Sequence, residues 1–256
     1  MKTVMITGCS SGFGLETAHY FLAQSWNVIA TMREPRENLL PAGDRLRLLR
    51  LDVTKQESID RAIAEAGNID VLVNNAGVGM LNALEGVSAD AVREVFETNT
   101  LGTIAMTRAV LAQFRERRAG VVINVTSAVT LKPLPLLAVY SASKAAVNAF
   151  TESLAMEVRP FNIRVGLILP GRAPTTRFGE NAQRIMGTIP EEYRELSQRV
   201  FNGMAESERV THPGDVAKAI WQMANDPDAP MRLPAGEDAL EMAGQLAQAQ
   251  SVAKPA

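Results

Sequence analysis

The chain has 256 residues, 46% of them hydrophobic and 21% charged, with 26 basic against 28 acidic side chains and a formal net charge of −2. That composition excludes wholesale disorder, and the even charge balance gives no electrostatic case for a nucleic-acid partner. A single cysteine, Cys9, rules out an intrachain disulfide and a cysteine zinc site; no apolar run approaches the roughly 18 residues of a membrane span, and the apolar part of Met1–Gly8 is too short for a secretory signal. The expectation is a cytoplasmic protein without a metal site.

Short apolar runs at Thr3–Thr7, Asn27–Thr31, Leu46–Leu51, Ile69–Val73, Val121–Val125 and Val165–Leu169 lack polar alternation. Strands buried on both faces of a parallel sheet read this way. Helical spacing fills the intervals. Leu15–Gln24 follows a glycine cluster, and Glu57–Ala66 follows Thr54-Lys55-Gln56-Glu57, a capping-box pattern. Ser88–Arg118 is long enough to divide near Asn99–Gly102, and Ala138–Val158 runs up to Pro160. Residues 171–209 carry scattered apolar residues, Pro174 and Pro190, and read as a lid-like insertion with one or two short helices beginning at Pro190. Pro213 suits the first position of a helix capped by Thr211 or His212. A seventh strand near Met231–Leu233, a helix over Glu237–Gln250 and a frayed end through Pro255 complete the chain. Strand and helix in alternation predict one Rossmann-like, doubly wound α/β domain over residues 1–256, with a seven-stranded, mostly parallel sheet.

Thr7-Gly8-Cys9-Ser10-Ser11-Gly12-Phe13-Gly14 lies between the first strand and the first helix. Glycines there allow a tight turn and close backbone approach, and the helix start offers free N–H groups to phosphates. A glycine turn serving only strand–helix packing would look the same. Tyr140 and Lys144 share a helix face, and an ammonium beside a phenol favours the phenolate, which makes Tyr140 a candidate general acid/base. Ser127 lies just beyond the strand Val121–Val125, where ligands of open α/β sheets bind; a serine capping its own backbone is the plainer alternative. His19 and His212 both fall away from strand ends, which removes a serine hydrolase reading.

These motifs, taken in order over residues 3 to 175, resemble the short-chain dehydrogenase/reductase family in its compact branch: Thr7–Gly14, Asp52, Asn74-Asn75-Ala76-Gly77, Asn99, Ser127, Tyr140-x-x-x-Lys144 and Pro170-Gly171. The resemblance implies Tyr140 as catalytic acid/base, with Lys144 lowering its pKa and holding the nicotinamide ribose. It implies that Ser127 orients the substrate oxygen and that Asn99 holds a water in a proton relay. Gly8, Ser10, Ser11, Gly12, Phe13 and Gly14 would take the pyrophosphate side, Asp52 and Val53 the adenine, and Asn75, Ala76 and Gly77 the adenosine ribose. Pro170, Gly171 and Thr175 would hold the carboxamide. Val129 and Thr130 stand where many relatives carry a glycine, and Ala173 replaces a usual Val or Ile.

Met32 stands where an acid would bind the 2′-hydroxyl of NAD, followed by Arg33, whose guanidinium can pair with a 2′-phosphate; Ser10 can add a hydrogen bond. NADP(H) is therefore expected over NAD(H), the alternative being a solvated Arg33 with Glu34 on the ribose. Apolar residues at Met80, Leu81 and Leu84, at Val129, Leu131, Leu134 and Leu137, and at Phe178, Ile185, Met186, Ile189, Tyr193 and Phe201 suggest a hydrophobic carbonyl or secondary alcohol as substrate. Thr7–Gly14 with Ala30–Arg33 resembles the hydroxysteroid and retinol dehydrogenases of the family, and relatives often pair through helices like Ser88–Arg118 and Ala138–Val158, which suggests a homodimer. A dinucleotide sensor without turnover, or an epimerase or lyase using the same tyrosine, are the competing readings.

Overall fold

Seven apolar segments pair as parallel strands: β1 Thr3–Ile6, β2 Asn27–Met32, β3 Leu46–Arg50, β4 Val71–Asn74, β5 Gly120–Val125, β6 Ile163–Pro170 and β7 Arg232–Ala235. Their order across the sheet is β3-β2-β1-β4-β5-β6-β7, and every pairing among the described residues is parallel. The chain winds outward from β1 to β3, then returns to β4 on the other side of β1. The carboxyl ends of β1 and β4 thus form the switch point where such sheets open a crevice. The coordinates are a computed structural model that describes residues 1–176 and 178–252. The end through Pro255 and the side chain of Phe178 lie outside the described residues.

Helices cover both faces because both faces of the strands are apolar. On one side α1 (Gly12–Ala23) packs against α8 (Pro213–Asn225). Phe21, Trp26 and Trp221 meet there edge to face, with centroids 5.1 to 5.5 Å apart. On the other side lie α2 (Gln56–Ala66), α4 (Gly102–Arg117) and α5 (Ala138–Val158), around Phe114, Met106 and Val110. A polar ladder crosses this second layer. Asn74 Nδ2 donates to Asn124 Oδ1 at 2.8 Å and to Thr107 Oγ1 at 3.0 Å, and Asn124 Nδ2 donates to Thr151 Oγ1 at 2.8 Å. These buried bonds lock the register of β4, β5, α4 and α5 directly beneath the carboxyl ends of the strands.

Two expectations need correction, and a third takes an unexpected form. Thr54 does not cap α2: its hydroxyl donates to Asp52 Oδ1 at 2.8 Å, and the helix starts at Gln56 after an extended Lys55. An aspartate two residues upstream captures the threonine locally. The stretch from Ser88 does divide near Asn99–Gly102, by a π turn and not by a break in the helical path. α3 (Ala89–Phe96), begun by the Ser88 hydroxyl accepting the Ala91 amide, passes through a π turn at Glu97–Leu101 straight into α4. The insertion is more helical than expected, with α6 (Phe178–Met186) ahead of Pro190 and α7 (Arg194–Glu206) after it. The last helix, α9 (Glu237–Val252), and the seventh strand fall where expected.

Phe114 is fully buried between sheet and helices, whereas Met156 is 79% exposed. Phe114→Ala is expected to cost about 3–5 kcal/mol in urea unfolding, and Met156→Ala less than about 0.5 kcal/mol.

Candidate active site

At the switch point the chain must bring two backbones together. Gly8 has φ +76°, and a Cβ there would lie 2.9 Å from Ala76 Cα; one on Gly14 would fall on the carbonyl oxygen of Gly8. Two side chains hold the approach. Thr7 Oγ1 accepts the amides of Asn75 and Ala76 at 3.0 and 2.9 Å, and Asn75 Nδ2 donates to the carbonyls of Thr7 and Gly8 at 2.9 and 3.2 Å. Asn75 is therefore a brace of the glycine loop as well as part of the cleft wall. α1 starts at Gly12 with no acidic residue in its first turn, and the side chain of Ser11 caps none of its amides. Uncapped N–H groups at the mouth of a glycine cradle suit an anionic diphosphate.

A cleft of about 320 Å³ opens here. Gly8, Ser10, Ser11, Gly12 and Phe13 line one side, Asp52, Val53, Ala76 and Gly77 another, and Tyr140 and Lys144 its inner end. Met32 and Arg33 lie at the tip of β2, with Arg33 exposed. Arg36, not anticipated from the sequence, donates to the Ser10 carbonyl at 3.2 Å. Cys9, buried within the loop, has its thiol pushed up to about 12, chiefly by burial and against a bond from the Thr31 backbone, so it is not a reactive group.

The reacting end is built on β5 and α5. Ser127 caps a single 3₁₀ turn, its Oγ accepting the Val129 amide at 3.3 Å, and Thr130 Oγ1 closes that turn on the Ser127 carbonyl at 2.8 Å. The turn's geometry explains how Val129 and Thr130 can stand where a glycine was expected. Tyr140 is 6% exposed. Burial raises the pKa of its hydroxyl, and a hydrogen bond with Ser127 draws it partly back. Lys144 Nζ sits 6.0 Å from the ring centroid of Tyr140 and donates to Val125 O at 3.1 Å. The depressed phenol pKa expected from the sequence is therefore not what the protein alone shows. Withdrawal from water dominates both groups, and it lowers Lys144 to about 8.

The π turn brings Asn99 to the same corner. Its Nδ2 donates to Val78 O at 2.9 Å and Ser143 Oγ at 3.1 Å, and its Oδ1 accepts the Val78 amide at 2.8 Å. A Cβ on Gly77 would lie 3.1 Å from Asn99 Oδ1 and 3.4 Å from Lys144 Nζ, so the three residues meet. Pro170 ends β6, and its carbonyl faces the Ser127 hydroxyl at 3.4 Å. Thr175 is exposed and is not part of the cleft wall; Thr176 lines the cleft instead and approaches Gly12. A turn closed by Thr176 Oγ1 on the Ala173 carbonyl sets that choice.

The insertion crosses the mouth of the cleft. Asn181 and Arg184 of α6 line it, and Arg184 pairs with Glu94 of α3. The buried amide of Asn82 fastens the end of α6, donating to the carbonyls of Met186 at 2.6 Å and Gly86 at 3.2 Å. Met80 and Leu137 are buried beside Tyr140, with Leu81, Val129, Leu134 and Ile185 packed against them. Leu84 at 64% and Phe201 at 38% exposure point to solvent and do not wall this pocket, and Tyr193 instead donates its hydroxyl to Glu85. Arg36, Asn82, Asn181 and Arg184 had no sequence signal, because each acts across a long separation. Among the described residues no helix is long and apolar enough to cross a membrane, and no group of metal-ligating side chains forms.

The Lys144 shift has a thermodynamic sign. Between about pH 8 and 10.5 the unfolded chain holds a proton on this amine that the folded chain has released, so this amine's contribution to stability rises with pH in that window, opposed above about pH 9 by the Cys9 thiol, which burial keeps protonated in the folded chain. Lys144→Met is expected to lose that contribution, measured against the wild-type protein as the change in urea-unfolding free energy between about pH 7.5 and 8.5.

The family profile described as short chain dehydrogenase matches residues 2–185. The chain is 36% identical over 255 residues to retinol dehydrogenase 8 of Bos taurus, covering 90% of this chain and 80% of that protein. It is 36% identical over 241 residues to a 3-ketodihydrosphingosine reductase of Bacteroides thetaiotaomicron, covering 92% and 88%. A crystal structure of a short chain dehydrogenase from Burkholderia cenocepacia in complex with NADP superposes with a TM-score of 0.77 at 26% identity, over all of both chains. With the parallel sheet, the glycine cradle and the tyrosine–lysine corner in place, the chain belongs to the short-chain dehydrogenase/reductase family.

Proposed function

We propose that the protein is an oxidoreductase that moves hydride between NADP(H) and a hydrophobic ketone or secondary alcohol, with Tyr140 as general acid/base. One observation carries the reading. A buried phenol, hydrogen-bonded to Ser127 and one helical turn from a buried amine, closes the inner end of a cleft whose outer end is an uncapped, glycine-lined helix start.

Gly8, Ser10, Ser11, Gly12, Phe13 and Gly14 would hold the diphosphate, Asp52 and Val53 the adenine, Asn75, Ala76 and Gly77 the adjoining ribose, and Pro170 and Gly171 the carboxamide. Bound nicotinamide would supply or accept the hydride. In reduction, the Ser127 hydroxyl orients the carbonyl oxygen and Tyr140 delivers its proton to it. Burial keeps the phenol protonated at neutral pH, which suits an acid in that direction. Lys144, at about 8, titrates near neutrality and stabilises the phenolate left behind. Asn99, in contact range of the same corner, holds the route by which the proton is replaced. Both relatives named above act, by name, on lipophilic molecules, and the pocket beside Tyr140 is apolar.

Tyr140→Phe is expected to lower kcat/KM at least about 10²-fold while calorimetry still shows NADPH binding. NADPH absorbance against a panel of lipophilic ketones, aldehydes and quinones separates the alternatives: oxidation supports a reductase, binding without oxidation a sensor, and isomerisation without net redox an epimerase. Arg33→Ala and Arg36→Ala are each expected to lower the ratio of kcat/KM for NADPH over NADH by about 10- to 100-fold, as loss of a charge-assisted bond to a 2′-phosphate would. An unchanged ratio in both variants would remove the NADP(H) preference.

A further inference from the structure

The segment that leaves β6 is fixed by a side-chain cluster behind the cleft. Asp238, in the first turn of α9, is 7% exposed. Its Oδ2 accepts the Arg172 amide at 2.6 Å and its Oδ1 accepts the Thr211 hydroxyl at 2.7 Å. Thr211 is fully buried, and its Oγ1 accepts the Gly171 amide at 2.9 Å. The same oxygen lies 2.9 Å from Ala235 O, but a hydroxyl has one proton and the carboxylate is the stronger acceptor. The Thr211 amide donates to Arg172 O at 2.8 Å, and the Arg172 guanidinium reaches Ser207 O at 2.6 Å. No space is left over: a Cβ on Gly171 would overlap the Asp238 carboxylate, and one on Gly236 would overlap Thr211.

These bonds orient carbonyls. In a trans peptide the C=O points opposite to the N–H. With the Gly171 amide turned to Thr211, the carbonyl of Pro170 must face the other way, and it does, towards Ser127. With the Arg172 amide turned to Asp238, the carbonyl of Gly171 is likewise directed away from α9. A buried carboxylate is a costly way to secure a loop, since an apolar residue of similar volume is often no less stabilising. What an apolar residue could not do is accept the Arg172 amide and the Thr211 hydroxyl together, which leaves the Thr211 oxygen to accept the Gly171 amide on the same side and sets both carbonyls on the other.

We propose that Asp238 and Thr211 are positioning residues for the nicotinamide end of the site, holding the Pro170 and Gly171 carbonyls as acceptors for a carboxamide donor. This rests on the placement of the nicotinamide given under the proposed function. The experiment is isothermal titration of the full chain with two ligands, NADPH and 2′-phospho-ADP-ribose, which is the same molecule without the nicotinamide. Thr211→Val, which removes the hydroxyl at nearly constant volume, is expected to weaken NADPH about tenfold, as loss of one oriented hydrogen bond would, and to leave the fragment within about twofold. Thr211→Ser is expected to restore NADPH binding. Asp238→Asn, which cannot accept on both atoms, gives the same pattern and stands in if Thr211→Val does not fold, as judged by its melting curve. A parallel fall for both ligands, or no fall for either in a folded variant, overturns the proposal. Wild-type protein that binds neither ligand overturns the cofactor reading itself, and one that binds the fragment as tightly as NADPH overturns only the nicotinamide placement.

Discussion

Keeping an amine out of water is the demand around which this fold is organised. Lys144 is 5% exposed and has a backbone carbonyl of β5 as its hydrogen-bond partner. Such a group must be caged by neighbours that cannot move away. The cage comes from the carboxyl end of β5, from α5, which carries both Lys144 and Tyr140, and from the π turn that delivers Asn99 to the same corner. Beneath it, the ladder of Asn74, Asn124, Thr107 and Thr151 leaves β4, β5, α4 and α5 little freedom to shift against one another. The geometry of the tyrosine–lysine corner thus rests on a polar layer set inside an apolar one.

Around that corner the parts differ in how they are held. The glycine loop and the end of β4 are braced by Thr7 and Asn75, which join residues far apart in sequence through bonds shielded from solvent. The insertion instead rests on an exposed ion pair, Arg184 with Glu94, and on the Asn82 amide. Exposed pairs contribute little to stability, so the buried Asn82 amide and the packing of Ile185 are what hold α6 at the cleft mouth.

The sheet and its helices were legible because the inner strands are apolar on both faces and the helices carry their own spacing; the bounds of α5 were read to the residue. The tyrosine–lysine corner and the glycine loop were legible for a related reason, since spacing along one helix or one turn is local information. The long stretch after Ser88 was legible as divided near Asn99–Gly102, but not the π turn that divides it, because spacing shows a change of helix face without showing the hydrogen bonds that make it. The helix before Pro190 was missed because Phe178–Met186 lies in a stretch that looks irregular as a whole. Arg36, Asn82 and Arg184 escaped because their partners lie 26, 104 and 90 residues away. Thr175 and Thr176 differ only in which way a tight turn points them.

The feet of the insertion carry one more consequence. Arg172 and Thr211 are joined by a backbone hydrogen bond, so the chain leaves the sheet and comes back at nearly the same point. Closing a loop costs entropy that grows only slowly with its length. A change in the length of what lies between those two residues therefore costs the scaffold little closure entropy. Descendants of this chain could gain or lose residues there while the end of β6 kept its anchor on Thr211.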